Sequence, residues 1–344
     1  MALGMLRGRV DQDGYRPSLL HRLLSPRGAV GNARNGLGER TFRRPSPIYH
    51  TFSHLVPHFF AQIPFYTRCM QVPTALGAVI RVELMKLKRA APIAEAPIND
   101  TPEVWTERVK QFALANGANV VGIARFDPDW NFVGYNFAYK WIVMLGQAMR
   151  LDEMTTAPSG RSLAEAMRTY LRGHIAAKRT ADWLRRQGWR AEGTGKPMLS
   201  GVSMIPAAIA AGLGELGKHG SLINRTHGSM LRLSLVLTDA PLIADGRKSI
   251  GVDEFCSSCQ LCSNECPPNA IYDAKQHVRG ELKWYVDFDK CVPYFNEARG
   301  CGICLAVCPW SKPGVSEKLT IKMLRRLERD KKSSTQTERS SGGQ

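Results

Sequence analysis

Eight of the nine cysteines in this 344-residue chain fall within 53 residues, as Cys256-x2-Cys259-x2-Cys262-x3-Cys266-Pro267 and then Cys291-x9-Cys301-x2-Cys304-x3-Cys308-Pro309. Three thiolates at x2 spacing wrap one face of a cubane, while a fourth, three residues on and followed by proline, points away to the other cluster. The two runs are therefore predicted to interlock. One [4Fe–4S] cluster takes Cys256, Cys259, Cys262 and Cys308, and the second takes Cys266, Cys291, Cys301 and Cys304. A disulfide framework belongs to small secreted chains, and structural zinc has no use for CxxCxxCxxxCP, so both account less well for the pattern. Cys69 stands apart and is expected to be an ordinary buried thiol.

The cysteine module is too small to account for the chain. With 44% hydrophobic and 22% charged residues the remainder has globular composition, and the length leaves room for about two domains. A net charge of +17 suggests nucleic acid until it is located along the chain. Residues 1–48 hold nine arginines against three acids, and residues 317–344 hold eight Lys or Arg against four acids. This distribution reads as a disordered basic tail over 1–48 and a second basic tail over 315–344, with RNA or an acidic redox partner as the lesser reading. No run of about 20 apolar residues predicts a membrane span. Arg43-Arg44 is a twin arginine, but the apolar core of an export signal does not follow it.

Residues 49–100 read as an uncharged aromatic segment and a linker. His50, His54 and His58 are four apart, as on one helical face, but Pro57 and Pro64 argue against one long helix. Packing on the core is the expected role of this stretch, and a metal site the lesser one. The core, 101–250, starts at Thr101-Pro102-Glu103, a cap, a first-turn proline and an early acid. Val120–Ile123 and Trp141–Leu145 read as buried strands, Leu163–Arg186 as a long helix and Ile205–Ala211 as a shorter one. In the alternating run Met230–Thr238, Leu231, Leu233, Leu235 and Leu237 share one face, which puts Arg232 and Ser234 on the other. Helices mixed with strands ahead of a cysteine module predict an α/β or α+β core with a ferredoxin-type domain, 251–314, appended.

Three stretches resemble the reductive dehalogenases: AAGLGELGKHGSLIN (210–224), SMLRLSLVLTDAPL (229–242) and KCVPYFNEARGCGICLAVCPWSKPG (290–314). The upstream order is similar, with Tyr170 followed by an Ala-rich helix that ends at Gly188-Trp189-Arg190-Ala191. The resemblance covers about 101–314 and is closest over 290–314. It implies a nitroreductase-like core that binds cobalamin base-off beside the two clusters, in keeping with the absence of a D-x-H-x-x-G motif for a histidine-ligated cobalamin. In such a family two electrons pass singly through the clusters to the cobalt, and a halogen on an organohalide is replaced by hydrogen.

The resemblance also implies a tyrosine proton donor paired with a cation. Tyr170 is the candidate, because a nearby cation stabilises a phenolate and lowers a pKa that is otherwise about 10. Arg232 is its candidate partner. Tyr170 also shares a helical stripe with Leu163, Met167, His174, Ala181 and Leu184, which a purely structural core residue would do as well. Gly212, Gly214 and Gly217 could let backbone approach the corrin, and Lys218 and His219 could contact its nucleotide tail. Without a twin-arginine leader the chain resembles the cytoplasmic members, served by an external ferredoxin, flavodoxin or flavin reductase. Epoxyqueuosine reductases, which act on tRNA, share the architecture and are the main alternative. They resemble proteins with an aspartate near the start of the long helix, where this chain has Arg168-Thr169-Tyr170. A two-cluster electron carrier without catalysis is the other alternative, and it leaves the core unexplained.

Overall fold

The computed structural model describes residues 9–11, 14–24, 30–49, 60–85, 87–195 and 201–341. Two short helices, α1 (Leu19–Leu24) and α2 (Val30–Asn35), precede α3 (Ile63–Met70) and α4 (Pro73–Met85). The Thr101 side chain accepts the Val104 amide and so caps α5 (Pro102–Ala115), whose first turn carries Pro102 and Glu103. Then follow β1 (Val120–Arg125), β2 (Trp141–Ala148), the long α6 (Gly160–Arg186), β3 (Ala191–Thr194), α7 (Met204–Ala210) and β4 (Leu231–Thr238). Ser159 starts α6 with a capping box to Ser162.

The four strands form one sheet in the order β1-β2-β4-β3, antiparallel at every pairing. The core is therefore of the α+β kind. One sheet face carries Ile123, Val143, Leu145 and Val236 against Trp105 and Val109 of α5 and Ala176, Ala177, Ala181 and Leu184 of α6. The other carries Ile142, Met144, Leu235 and Leu237 against Ala207 and Ala208 of α7. The alternation expected for 231–237 is thus what assigns each residue of β4 to a layer.

The cysteine module contributes α8 (Val252–Ser258), α9 (Leu261–Asn264), α10 (Phe288–Glu297) and α11 (Ile303–Ala306), and α12 (Val315–Ser341) closes the described chain. Ile223 of the core packs with Ile250, Val252, Trp284 and Trp310 around Cys256 and Cys308. Buried hydroxyls add to this seam: Ser229 and Ser311 share a hydrogen bond, and Ser316 donates to the Asn224 carbonyl.

Where a disordered tail was expected over 1–48, the described residues 14–24 and 30–48 include docked ones. Asn32 is buried; its amide N–H and that of Gly31 donate to Asp289, its side chain donates to Asp287, and its Oδ1 accepts from Tyr285 and from the Phe288 amide. Ser18 and Tyr15 donate to Glu297. A few polar anchors at the two ends of α10 suffice to dock a segment whose arginines still reach solvent. The linker expected near 85–100 is likewise anchored, with the Ala94 and Ile98 amides donating to Arg185 and Gln187. In the basic tail expected over 315–344, α12 runs as one helix to Ser341. His50, His54 and His58 lie outside the described residues. Phe65 of the aromatic segment stacks on Phe295 and shares a cluster with buried Cys69, as expected for core packing.

Candidate functional site

None of the nine cysteines is in a disulfide, and those of the module lie near one another in two groups. Cys256 lies within electrostatic reach of Cys262 and Cys259, Cys262 of Cys308 and Cys259, and Cys308 of Cys256 and Cys259. Cys291 is coupled to Cys301 and Cys266, and Cys304 to Cys301, Cys291 and Cys266, with Cys262 as its weakest contact and the bridge between quartets. Among the described residues no three His, Cys, Asp or Glu side chains close on a single ion, whereas zinc draws its sulfurs in to about 2.3 Å. Burial pushes the Cys256 and Cys262 thiols up to about 12 and that of Cys304 well above its usual value.

A cavity of about 600 Å³ opens between α6, α3, α4 and the module. Its walls include Phe65, Leu163 and Met167, and Cys266, Cys291, Cys301 and Cys304 all line it, whereas no cysteine of the first quartet does. Tyr170 and Arg232 line it too. Their meeting follows from how α6 crosses the sheet. At Gly173 an added Cβ would lie 2.5 Å from Gln147 Oε1 and 3.2 Å from Ser234 Oγ, so the helix packs tightly on the sheet there. Tyr170 is three residues earlier on the same helical face. Arg232 is two residues earlier than Ser234 on the same sheet face and pairs in register with Gln147. The Arg232 guanidinium consequently sits over the Tyr170 ring, 5.3 Å from its centroid. Its buried Nε has no hydrogen-bond partner.

Of the other residues expected at a cofactor, only His219 reaches the cavity. Its Nδ1 accepts the Ser221 amide, which leaves the proton on Nε2, and that atom is buried without a partner. Burial lowers its pKa to about 4, so the ring is a neutral donor. Gly212, Gly214 and Gly217 do not line the cavity. At Gly212 (φ +71°) an added Cβ would lie 2.6 Å from the Gly246 carbonyl oxygen, and at Gly214 (φ +155°) 2.0 Å from that of Ile223. At Gly217 it would meet the Ile223 and His219 side chains. The protein's own atoms approach closely at all three. Lys218 points away from the cavity, toward Trp284 and the first quartet.

Two cavity-lining tyrosines escaped the sequence reading, Tyr66 and Tyr294. Burial raises both, Tyr66 to about 12 with Cys69 and Glu83 adding to the rise. The uncharged stretch preceding α4 was the available signal for the α3 wall, and it read as core packing.

A 4Fe-4S dicluster domain matches residues 255–312, a span that includes all eight cysteines. Over 267 residues the chain is 33% identical to the tetrachloroethene reductive dehalogenase of Sulfurospirillum multivorans, a match covering 64% of this chain and 52% of that protein. Over 121 residues it is 34% identical to an epoxyqueuosine reductase of Leadbetterella byssophila, covering 30% of this chain and 35% of that one. In three dimensions it is similar to a catabolic reductive dehalogenase solved in complex with 3-bromo-4-hydroxybenzoic acid, at a TM-score of 0.65 and 27% identity over 72% of this chain and 38% of that chain. The chain thus spans about half the length of the first relative. It is related in sequence and fold to reductive dehalogenases, with epoxyqueuosine reductases as further relatives, as the motifs led us to expect.

Proposed function

We propose that this chain acts as a cobalamin-dependent reductive dehalogenase, replacing a halogen on an organohalide with hydrogen by means of two electrons delivered through two [4Fe–4S] clusters. The observation that carries this reading is the Tyr170–Arg232 pair, set in the cavity that the Cys266 quartet also lines. The residues fit the implied group. The cavity is largely apolar, lies against a cluster site, and presents the unpartnered Nε2–H of His219 and Nε of Arg232. A nitroreductase-like relationship of the core belongs to the same proposal.

Bound cobalamin would supply the reducing power for carbon–halogen cleavage. The chain's own task is then to deliver a proton and exclude water. Tyr170 holds that proton on Oη, and Arg232, with no carboxylate partner among the described residues, stabilises the phenolate left behind. Tyr66 is a poorer donor, since burial, Cys69 and Glu83 all disfavour its anion. Phe65, Leu163 and Met167 keep the reacting centre dry. Glu165, the acid within the first turns of α6, is buried and committed to the Arg150 amide, Thr169, Arg168 and Arg172, so it does not replace the aspartate implied for epoxyqueuosine reductases.

No helix among the described residues is long and apolar enough to cross a membrane. We place the protein in the cytoplasm, where eight thiols stay reduced for cluster assembly, with a separate ferredoxin, flavodoxin or flavin reductase as electron source. The test is halide release from a halophenol panel by anaerobic, cobalamin-loaded protein with a strong one-electron donor, run beside tRNA containing epoxyqueuosine. Halide without queuosine is the expected result; queuosine without halide would transfer the assignment to the tRNA reaction.

A further inference from the structure

Lys218 is only 1% exposed, and its ammonium has no hydrogen-bond partner. It lies over the Trp284 ring, 5.1 Å from the centroid. The acid beside that ring, Asp253, is already engaged, accepting from Trp284 Nε1 at 2.9 Å and from Lys275 Nζ at 2.6 Å. A buried ammonium left without a counter-charge is strongly disfavoured, so the fold must provide negative charge that no carboxylate supplies. The groups that feel the Lys218 charge are Cys256 and Cys262, and the Lys218 backbone N–H also stabilises the Cys256 sulfur. Four thiolates around an iron–sulfur core leave a net negative charge at that place.

We propose that Lys218 is the internal counter-ion of the cluster held by Cys256, Cys259, Cys262 and Cys308, and that its fixed charge raises that cluster's reduction potential. The inference rests on the two-cluster reading above. Reduction adds one electron to an already anionic site, and a cation held in low dielectric favours the reduced state. Because this quartet does not line the cavity, it is the quartet placed to receive electrons from outside. A raised potential there eases capture of an electron from a carrier, while the cavity-side cluster is left unaffected.

The test is a potentiometric titration of both clusters by electron paramagnetic resonance, on anaerobic protein of measured iron content, for native, Lys218→Met and Lys218→Arg. Lys218→Met should disfavour reduction of one cluster by tenfold or more, about 59 mV for a one-electron couple, without moving the other. Lys218→Arg should stay near native. Two unmoved midpoints in a fully loaded Lys218→Met protein would overturn the proposal. If Lys218→Met fails to hold the first cluster, a loaded Lys218→Arg protein upholds the need for charge, and an equally empty one rejects it. Absence of clusters from the native protein would instead refute the two-cluster reading.

Discussion

The Arg232 guanidinium stands 5.3 Å from the centroid of the Tyr170 ring, on the cavity shared with Cys266 and Cys304. A strand and a helix well separated along the chain supply the pair. The arginine sits over the face of the ring, where it acts as a nearby charge.

Tyr170→Phe should retain both clusters and bind cobalamin, yet lose dehalogenation by about 10²–10⁴-fold, the usual contribution of a general acid. Arg232→Met should also impair turnover, and Arg232→Lys less, because charge rather than a bidentate fork is what a phenolate needs. Single-turnover halide release on loaded protein reads both. Full activity of Tyr170→Phe would return this residue to a packing role.

Crossed ligation makes a sharp statement about two serines. Cys308→Ser should damage the cluster of Cys256, Cys259 and Cys262, some 45 residues earlier, and Cys266→Ser the cluster of Cys301 and Cys304. Iron analysis and paramagnetic resonance should show one cluster perturbed and the other intact in each variant. Loss of the sequence-adjacent cluster in either case contradicts interlocking.

Gly214→Ala should act on the fold. Its φ of +155° and the Ile223 carbonyl oxygen 2.0 Å from an added Cβ leave no room for a side chain. We expect destabilisation of about 1–3 kcal/mol or more, visible in denaturant melts, with cobalamin affinity of the folded fraction unchanged. Weakened cobalamin binding at native stability would restore the cofactor role.

His219 predicts a pH dependence with a definite sign. Its folded pKa of about 4 lies below the ordinary value of 6.5, so the unfolded chain binds the proton more readily. Its contribution is complete above about pH 6.5 and is lost as pH falls toward 4. Each tenfold difference in proton affinity between the folded and unfolded chain is worth about 1.36 kcal/mol, so over that window native protein should lose up to about 3 kcal/mol more than His219→Gln. Parallel stability curves for the two would show that the ring is not buried as a neutral base.

What the sequence by itself determined was local. The x2 and x3 spacings are constraints of a short chain on a cubane, so a module for two [4Fe–4S] clusters, matched over residues 255–312, was legible without a fold. Strand alternation likewise assigned Arg232 to the face opposite Leu231 and Leu233, and the Thr101-Pro102-Glu103 signal marked the start of α5. Tertiary structure decided everything that depends on distant segments meeting. The crossing of α6 over Gln147 and Ser234 at Gly173 chose Tyr170, rather than Tyr66 or Tyr294, as the partner of Arg232. The carbonyls of Ile223 and Gly246 close on Gly214 and Gly212, contacts that a glycine-rich motif alone does not reveal. Asn32 docked an arginine-rich segment onto Asp287 across 255 residues, a contact that composition hides because one buried amide can outweigh many solvated charges when every polar group it buries finds a partner.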